Sequence, residues 1–327
     1  MSAVVWIAAA SLAAWLWLLV GQGFFWRTGH RLPPRRDPKH WPRVAVVVPA
    51  RDEAEVLPTS LPSLLAQDYP GRAEVFLVDD GSGDGTGTLA RALAERHGGL
   101  PLTVTSPGEP PAGWTGKLWA VRHGMALARA REPEFLLLTD ADIAHRPDSL
   151  RTLVAAATTG GYDLVSLMAR LRVASLWERL VVPAFVYFFA QLYPFRWIAR
   201  KGGRTAAAAG GCVLLRADAA ERARVPDVIR HAVIDDVALA RAVKRSGDTS
   251  GWGSPTGSTA CGPIRGSRTC GGWWRAARTP SCGTVRRCSS ARWPGSPWCI
   301  WRRRWRCSRA SRRVPRPPRC AVASRGS

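Results

Sequence analysis

Three pairs of carboxylates stand out in the first 250 residues: Asp79-Asp80, Asp140 with Asp142, and Asp235-Asp236. The first pair lies within the stretch EVFLVDDGSGDGT, Glu74–Thr86, where the apolar run Val75–Val78 ends in two acids and a Gly/Ser loop. A buried strand that delivers acids and small residues at its C-terminal end is how an open α/β sheet builds a ligand crevice. A calcium loop is excluded, because the twelfth position counted from Asp80 is Arg91 and not a bidentate Glu. As a dinucleotide fingerprint the stretch offers only Gly85, Gly87 and Ala90, a weak pattern on its own. A plain hairpin turn needs no acids inside the end of an apolar strand.

The second pair sits in Thr139-Asp140-Ala141-Asp142, after the apolar run Phe135–Leu138. In an extended chain, positions two apart face the same side, so both carboxylates can address one ligand. Hard oxygens at a strand end suit Mg2+ or Mn2+, which keep waters and bridge substrate phosphates. A solvated strand end with a helix cap is the plainer alternative. The third pair opens the helical stretch Val237–Ser246, where acids complement the macrodipole whether or not they do chemistry. Gly113-Trp114-Thr115-Gly116-Lys117 supplies a cation between these segments, at the start of a helix expected over Lys117–Arg131.

The elements that must position these groups follow from hydrophobic pattern. Val44–Val48 is a fully apolar strand followed by Pro49-Ala50-Arg51-Asp52-Glu53, and Leu57–Gln67 reads as an amphipathic helix. Further strands are expected at Leu102–Thr105, Leu164–Met168 and Gly210–Leu215. Strands alternating with helices predict a doubly wound α/β domain. Upstream, Ala3–Phe25 carries no charge and is long enough to span a bilayer. Basic residues from Arg27 to Arg43 follow it and none precedes it, so the chain after it is expected on the cytoplasmic face. Residues 1–26 are read as a membrane anchor and 27–42 as a stiff, Pro-rich basic linker. Leu180–Ala199 is apolar and aromatic but broken by Pro183, Pro194 and Arg196. It suits either a membrane interface or a buried core helix.

In order, VVVPARDE, VDDGSGDGT, GWTGKLWA, TDAD, AAAAGGCVLLR and IDDVALARAVKRSG resemble glycosyltransferase family 2, the inverting nucleotide-sugar transferases of GT-A fold. The series is most similar to the hopene-associated members, over roughly residues 40–247. The resemblance implies an α/β GT-A nucleotide-sugar-binding domain over residues 43–247, a Rossmann-like mixed sheet with flanking helices. It implies that Pro49, Ala50, Arg51, Glu53, Asp79 and Asp80 hold the nucleoside, and that Lys117 sits near the diphosphate or sugar. Asp140 and Asp142 would be the Asp-x-Asp pair, with Asp142 on a divalent metal, Mg or Mn. Gly210 and Gly211 would line the acceptor side. Asp236 would be the general base, with Asp235 standing where Glu is usual, which leaves the choice between the two open. The partners implied are a nucleoside-diphosphate sugar, a membrane, and a lipid-like acceptor such as a hopanoid. The place implied is a bacterial-type inner membrane. A nucleotidyltransferase on a similar sheet is the rival enzyme.

The net charge of +23 invites a nucleic-acid reading, but residues 251–327 hold 17 arginines and no acid. The first 250 residues carry 30 basic against 24 acidic side chains, an ordinary balance, so nucleic acid is not an expected partner. The same C-terminal stretch holds seven of the eight cysteines and seven of the sixteen tryptophans, with no His to complete a zinc site. A reading-frame shift near Gly247 accounts for this composition. Out of frame, the leading T of Trp, Cys and most Ser codons becomes a middle T, which encodes Leu, Val, Ile, Met or Phe. Residues 248–327 are thus read as a non-native tail, disordered or ill-packed. Its loss of an acceptor-side segment and C-terminal membrane helices is expected to compromise activity. Sequencing the gene through the codons for Ala242–Pro263 checks this: a one- or two-base discrepancy near Gly247 is the expected outcome, and an intact frame would make the basic tail real.

Overall fold

The computed structural model describes residues 2–253, apart from 28, 30, 31, 33–35, 172, 174, 175 and 201, together with the strand Gly262–Pro263. The packing expected of the rest of the tail, and the middle of the linker, lie outside the described residues.

The centre of the sheet forms because Val44–Ala50, Ala73–Asp79, Phe135–Thr139 and Cys212–Arg216 carry short continuous apolar runs, the signature of strands covered on both faces. β1 (Val44–Ala50) is buried along nearly its whole length and pairs in parallel with β2 (Ala73–Asp79) and β4 (Phe135–Thr139). β3 (Leu102–Thr105) extends the sheet in parallel beyond β2. Two further strands take part: β6 (Leu164–Leu167) and β7 (Cys212–Arg216). β7 runs antiparallel between β4 and β6, and β8 (Ser250–Gly253) lies parallel on the far edge. The order β3-β2-β1-β4-β7-β6-β8 is a mixed sheet, as expected. The short strands β5 (Ile143–Ala144) and β9 (Gly262–Pro263) pair separately.

Alternate residues of β1 face opposite layers. Val44, Val46 and Val48 pack with α2 (Leu57–Leu65), α3 (Thr86–His97) and α5 (Ser149–Gly160). Ala45 and Val47 pack with α4 (Gly116–Arg129), α8 (Ala217–Arg222) and α9 (Asp235–Arg245). The sequence pattern leaves α3 and α5 unread. The buried face of α3 is mostly small, Thr86, Gly87 and Ala90 beside Leu93, which thins its apolar stripe. In contrast, α5 buries Leu150, Leu153 and Val154 beside Ala155, Ala156 and Ala157, a face that the sequence does show.

Two boundaries differ from expectation. The domain does not stop at Gly247. β8 continues the sheet, and Trp252 is fully buried, stacked on Phe195 with ring centroids 4.9 Å apart. Main-chain pairing with β6 needs no particular side chains, and one indole fills the remaining space, so composition gave no sign of a strand. The apolar stretch near Leu180 is α6 (Leu176–Leu192), followed after Pro194 by the short α7 (Phe195–Ile198). One face of α6 joins the core and the other is exposed, so neither expectation for it holds alone. At the N-terminus α1 (Ala3–Leu16) runs on as a π-helical stretch to Gly21. The 19-residue segment has a mean hydropathy of 2.2, and none of its most apolar window is buried.

The helix that carries Lys117 seats tightly on the sheet. A Cβ at Gly124 would come within 2.5 Å of Val47 Cγ1 and 2.9 Å of Val78 Cγ2. Gly124→Val should therefore cost about 2 kcal/mol or more through overpacking. Thermal unfolding of the detergent-solubilised chain reads it as a lowered midpoint, and an unchanged midpoint would contradict this close approach.

Candidate active site

At the C-terminal ends of β1 and β2, two loops are stitched together by side-chain bonds to main chain. Asp79 Oδ1 accepts from the Ser82 amide at 3.0 Å, and Asp52 Oδ1 accepts from the Gly83 amide at 2.9 Å. The Glu53 amide donates to Thr86 Oγ1, and the Ala54 amide to Asp84 Oδ2. The Thr86 hydroxyl donates to Asp84 and, with main-chain amides, holds that carboxyl below the usual range. The carboxylates here thus differ in duty. Asp79 is committed to the turn, whereas Asp80, buried, points one oxygen at Arg51, 3.4 Å away. The same oxygen of Asp80 also meets Gly116: a Cβ there would collide with it, so only glycine lets the start of α4 come this close. The positive N-terminal end of α4 is thus electrostatically matched to the Asp80 carboxylate.

The next residue of α4, still in its first turn, is Lys117. The helix begins where Thr115 Oγ1 accepts from the Leu118 amide, an N-cap that the sequence shows only as a Thr before a helical run. The Lys117 ammonium lies 2.8 Å from Asp140 Oδ1 and 3.0 Å from Asp235 Oδ2. Burial opposes its charge, but the two carboxylates more than offset this and hold it well above the ordinary lysine range. One cation thus joins the end of β4 to the start of α9, segments almost a hundred residues apart in sequence.

Asp236 is not in that ion pair. Its Oδ2 accepts from the Gly210 amide at 3.1 Å and its Oδ1 from the Val237 amide. Burial, then the charge of Asp235, pushes its carboxyl up to about 6. Asp142 is also pushed up to about 6, by burial and then by the charge of Asp140. Thr139, which precedes the pair, donates through Oγ1 to the Gly211 carbonyl at 2.8 Å and lies 3.0 Å from His145 Nε2. These bonds tie the Asp140 strand end to the Gly210-Gly211 turn. Neither Thr139 nor His145 was identified from sequence, since a threonine at a strand end carries no distinctive signal.

The pocket at this point is lined by Pro49, Lys117, Asp140, Gly210, Asp235 and Asp236 among others. It unites five of the six segments singled out by motif. Arg51, Glu53, Asp79 and Asp80 form the adjoining loop cluster, Ala50 ends β1, and Gly211 and Asp142 sit just outside the lining. The resemblance implies a divalent cation here. The donor set fits one in part: Asp140 and Asp142 bring two like charges together at a partly buried place. Among the described residues no group of three His, Cys, Asp or Glu side chains could hold the ion alone. Its remaining ligands would be water and substrate oxygens, as Mg2+ and Mn2+ accept.

The sequence profile described as "Glycosyltransferase like family 2" matches residues 42–253, more than half of the chain. The "Probable glycosyltransferase YdaM" of Bacillus subtilis (strain 168) is 33% identical over 93 residues, 28% of this chain and 21% of that protein. The "Undecaprenyl-phosphate 4-deoxy-4-formamido-L-arabinose transferase" of Pseudomonas aeruginosa (strain LESB58) is 33% identical over 142 residues, 42% of this chain and 38% of that one. The chain thus spans well under half the length of these curated relatives. Among solved structures, "Mannosyltransferase PcManGT from Pyrobaculum calidifontis in complex with GDP-Man and Mn2+" superposes with a TM-score of 0.57 at 22% identity. That likeness covers 81% of this chain and 71% of the other, and it identifies the fold as GT-A.

The strain in the Asp140–Asp142 pair has a measurable sign. Because the folded state raises the Asp142 carboxyl to about 6 from the ordinary value of about 4, ionising it costs stability as pH rises between the two. Asp142→Asn, assayed with chelator present, should therefore raise the unfolding midpoint at pH 7 by about 2–4 °C, the shift of roughly 1 kcal/mol in a domain of this size. The gain should vanish below about pH 4, where the wild-type carboxyl is protonated in both states. Added Mn2+ should stabilise the wild type more than the variant.

Proposed function

The chain belongs to glycosyltransferase-like family 2, and from that membership we propose that it transfers a sugar from a nucleoside diphosphate to a lipid-like acceptor at a membrane surface, with inversion. The observation that carries the reading is the convergence on one pocket of Lys117, Asp140, Asp235 and Asp236. A transferase of this kind needs positive charge where the diphosphate departs and a base where the acceptor arrives. Lys117 and Asp236 supply the two from the same small space.

The loops stitched through Asp52, Asp79 and Thr86, with Asp80 and Arg51 beside them, would hold the nucleoside. The start of α4 and Lys117 would face the diphosphate. A divalent cation on Asp140 and Asp142 would supply further neutralisation of the phosphates. Gly210, whose amide holds Asp236, leaves the acceptor side open. An acceptor hydroxyl there gives its proton to Asp236 as its oxygen bonds to the anomeric carbon. The bond from that carbon to the β-phosphate oxygen breaks on the opposite face, and the electron pair leaves with the nucleoside diphosphate. Asp236 is favoured over Asp235 as base because Lys117 already neutralises Asp235.

Two acceptor chemistries are in view. The Pseudomonas relatives are named for undecaprenyl phosphate, and the motif resemblance points to hopanoid-type lipids. A lipid phosphate is already ionised at neutral pH and needs little help from a base, whereas an alcohol does. The raised carboxyl of Asp236 suits an alcohol. The uncharged, exposed α1 would anchor the domain, on the cytoplasmic side if the basic flank orients it.

Incubating the full chain with labelled nucleotide sugars, Mn2+ and lipid extracts should release nucleoside diphosphate, with the sugar transferred in inverted configuration. Release of inorganic diphosphate would instead support the nucleotidyl-transfer reading. With an alcohol acceptor, Asp236→Asn should lower kcat by about 10²-fold or more, and the acid limb of kcat/KM should fall near pH 6. A small Asp236→Asn effect would favour a phosphate acceptor.

A further inference from the structure

Leu176, Trp177, Leu180, Val181, Phe185 and Phe188 make a continuous outward face on α6, and Leu176 and Trp177 are 80% and 77% exposed. They fall on adjoining i, i+4 rows, so the exposed side of this helix is its apolar side. The opposite rows, through Val182 and Ala190, are buried against the domain. Exposed contiguous apolar surface of this kind marks an interaction site.

The position of this face identifies what meets it. The end of the apolar N-terminal segment packs on the C-terminal half of α6. Gln22 Nε2 donates to the Gln191 carbonyl at 3.1 Å, and the Phe25 and Tyr187 rings meet edge-on with centroids 5.1 Å apart. A Cβ on Gly23 would lie 2.9 Å from Pro194 and from the Trp197 indole. Where α1 leaves a bilayer, α6 is therefore at the same level. Residues suited to headgroups flank the junction: Trp26, with the Arg27 guanidinium over its ring at 5.4 Å, and Arg196 over Phe24 at 5.6 Å.

We propose that α6 is an interfacial helix, bedded by its apolar face in the membrane surface beside the exit of α1, and that it brings the acceptor side of the pocket to the lipid. The second half of this proposal rests on the transferase reading above; the first does not. The buried side of α6 and the following α7 share a core with Val237 and Ala209, the chain neighbours of Asp236 and Gly210. Lys244 of α9 donates to the carbonyls of Ile198 and Thr205 at 2.7 Å each, tying the helix that carries Asp236 to the end of α7. A lipid-borne acceptor held at this depth thus arrives beside the candidate base.

The full chain, reconstituted in phosphatidylglycerol and phosphatidylethanolamine vesicles that carry a phospholipid with a photoreactive group just below its headgroup, tests this by peptide mapping after illumination. Adducts are expected on residues 176–192 as well as on α1. The double variant Leu180→Glu, Phe188→Glu should lose about tenfold of the α6 adducts while α1 labelling stays within about twofold. Both positions lie on the outer face, and an unchanged unfolding midpoint in detergent shows that the variant folds. Label confined to α1 would overturn the proposal, as would cross-links joining α6 of two copies in place of lipid adducts. Labelling requires no sugar transfer, so Asp236→Asn protein should label like the wild type even if the transferase reading fails. If that reading holds, the α6 variant should also raise the KM for a vesicle-borne acceptor severalfold, with the donor KM unchanged.

Discussion

The ammonium of Lys117 between Asp140 and Asp235 is the interaction on which the site depends. Four acids, Asp140, Asp142, Asp235 and Asp236, come from two elements that the sheet brings end to end. Without an interposed cation these partly exposed carboxylates would repel one another, with solvent screening only part of the repulsion. With it, two of them are fixed by charge, and the other two, Asp142 and Asp236, take up the strain as raised carboxyls. The same arrangement thus leaves Asp142 and Asp236 outside the ion pair with raised carboxyls, the two acids to which the proposed reaction assigns a cation and a proton.

Everything around this contact holds it in place. Lys117 reaches the acids because α4 starts at Gly116, pressed against Asp80, and lies flat on β1 and β2 at Gly124. Asp140 is held by Thr139, whose hydroxyl is anchored on Gly211. Asp236 is held by the Gly210 amide of the same turn. The antiparallel β7 follows from this geometry. Inserted between β4 and β6, it brings the Gly210-Gly211 turn next to the end of β4, which a parallel strand would place at the other edge. The mixed sheet is thus the means by which the two acid pairs meet.

The parts of this legible in the sequence were those where one residue type serves one purpose over a short span. Apolar runs marked β1, β2 and β4, two of them leading into carboxylate pairs, and the third pair stood out at the start of a helical stretch. What the sequence hid were devices made from ordinary residues. α3 packs mostly through Thr86, Gly87 and Ala90, whose burial gives little periodic contrast. The stitching of residues 52–54 to 82–86 uses main-chain amides, which every sequence has. The different fates of Asp79 and Asp80 depend on which carboxylate meets Gly116, a contact between segments more than thirty residues apart. β8 was hidden for a further reason: it lies in a stretch whose composition looked foreign, yet edge pairing with β6 and the single indole of Trp252 suffice to seat it.

That indole also connects the two faces of the molecule. Trp252 stacks on Phe195 and lies over Phe189, so β8, α7 and the inner side of α6 form one small core together with Phe25 and Val237. Val237 is the first residue after Asp236, and Phe25 follows the apolar N-terminal segment. The exposed apolar face of α6, proposed to meet the membrane, and a candidate catalytic acid are therefore walls of the same packed unit. Because packed cores resist deformation and transmit displacement, the depth at which α6 rests in lipid would fix where Asp236 stands relative to the membrane plane. For an acceptor carried by the membrane, that distance sets whether its reactive oxygen can reach the base at all.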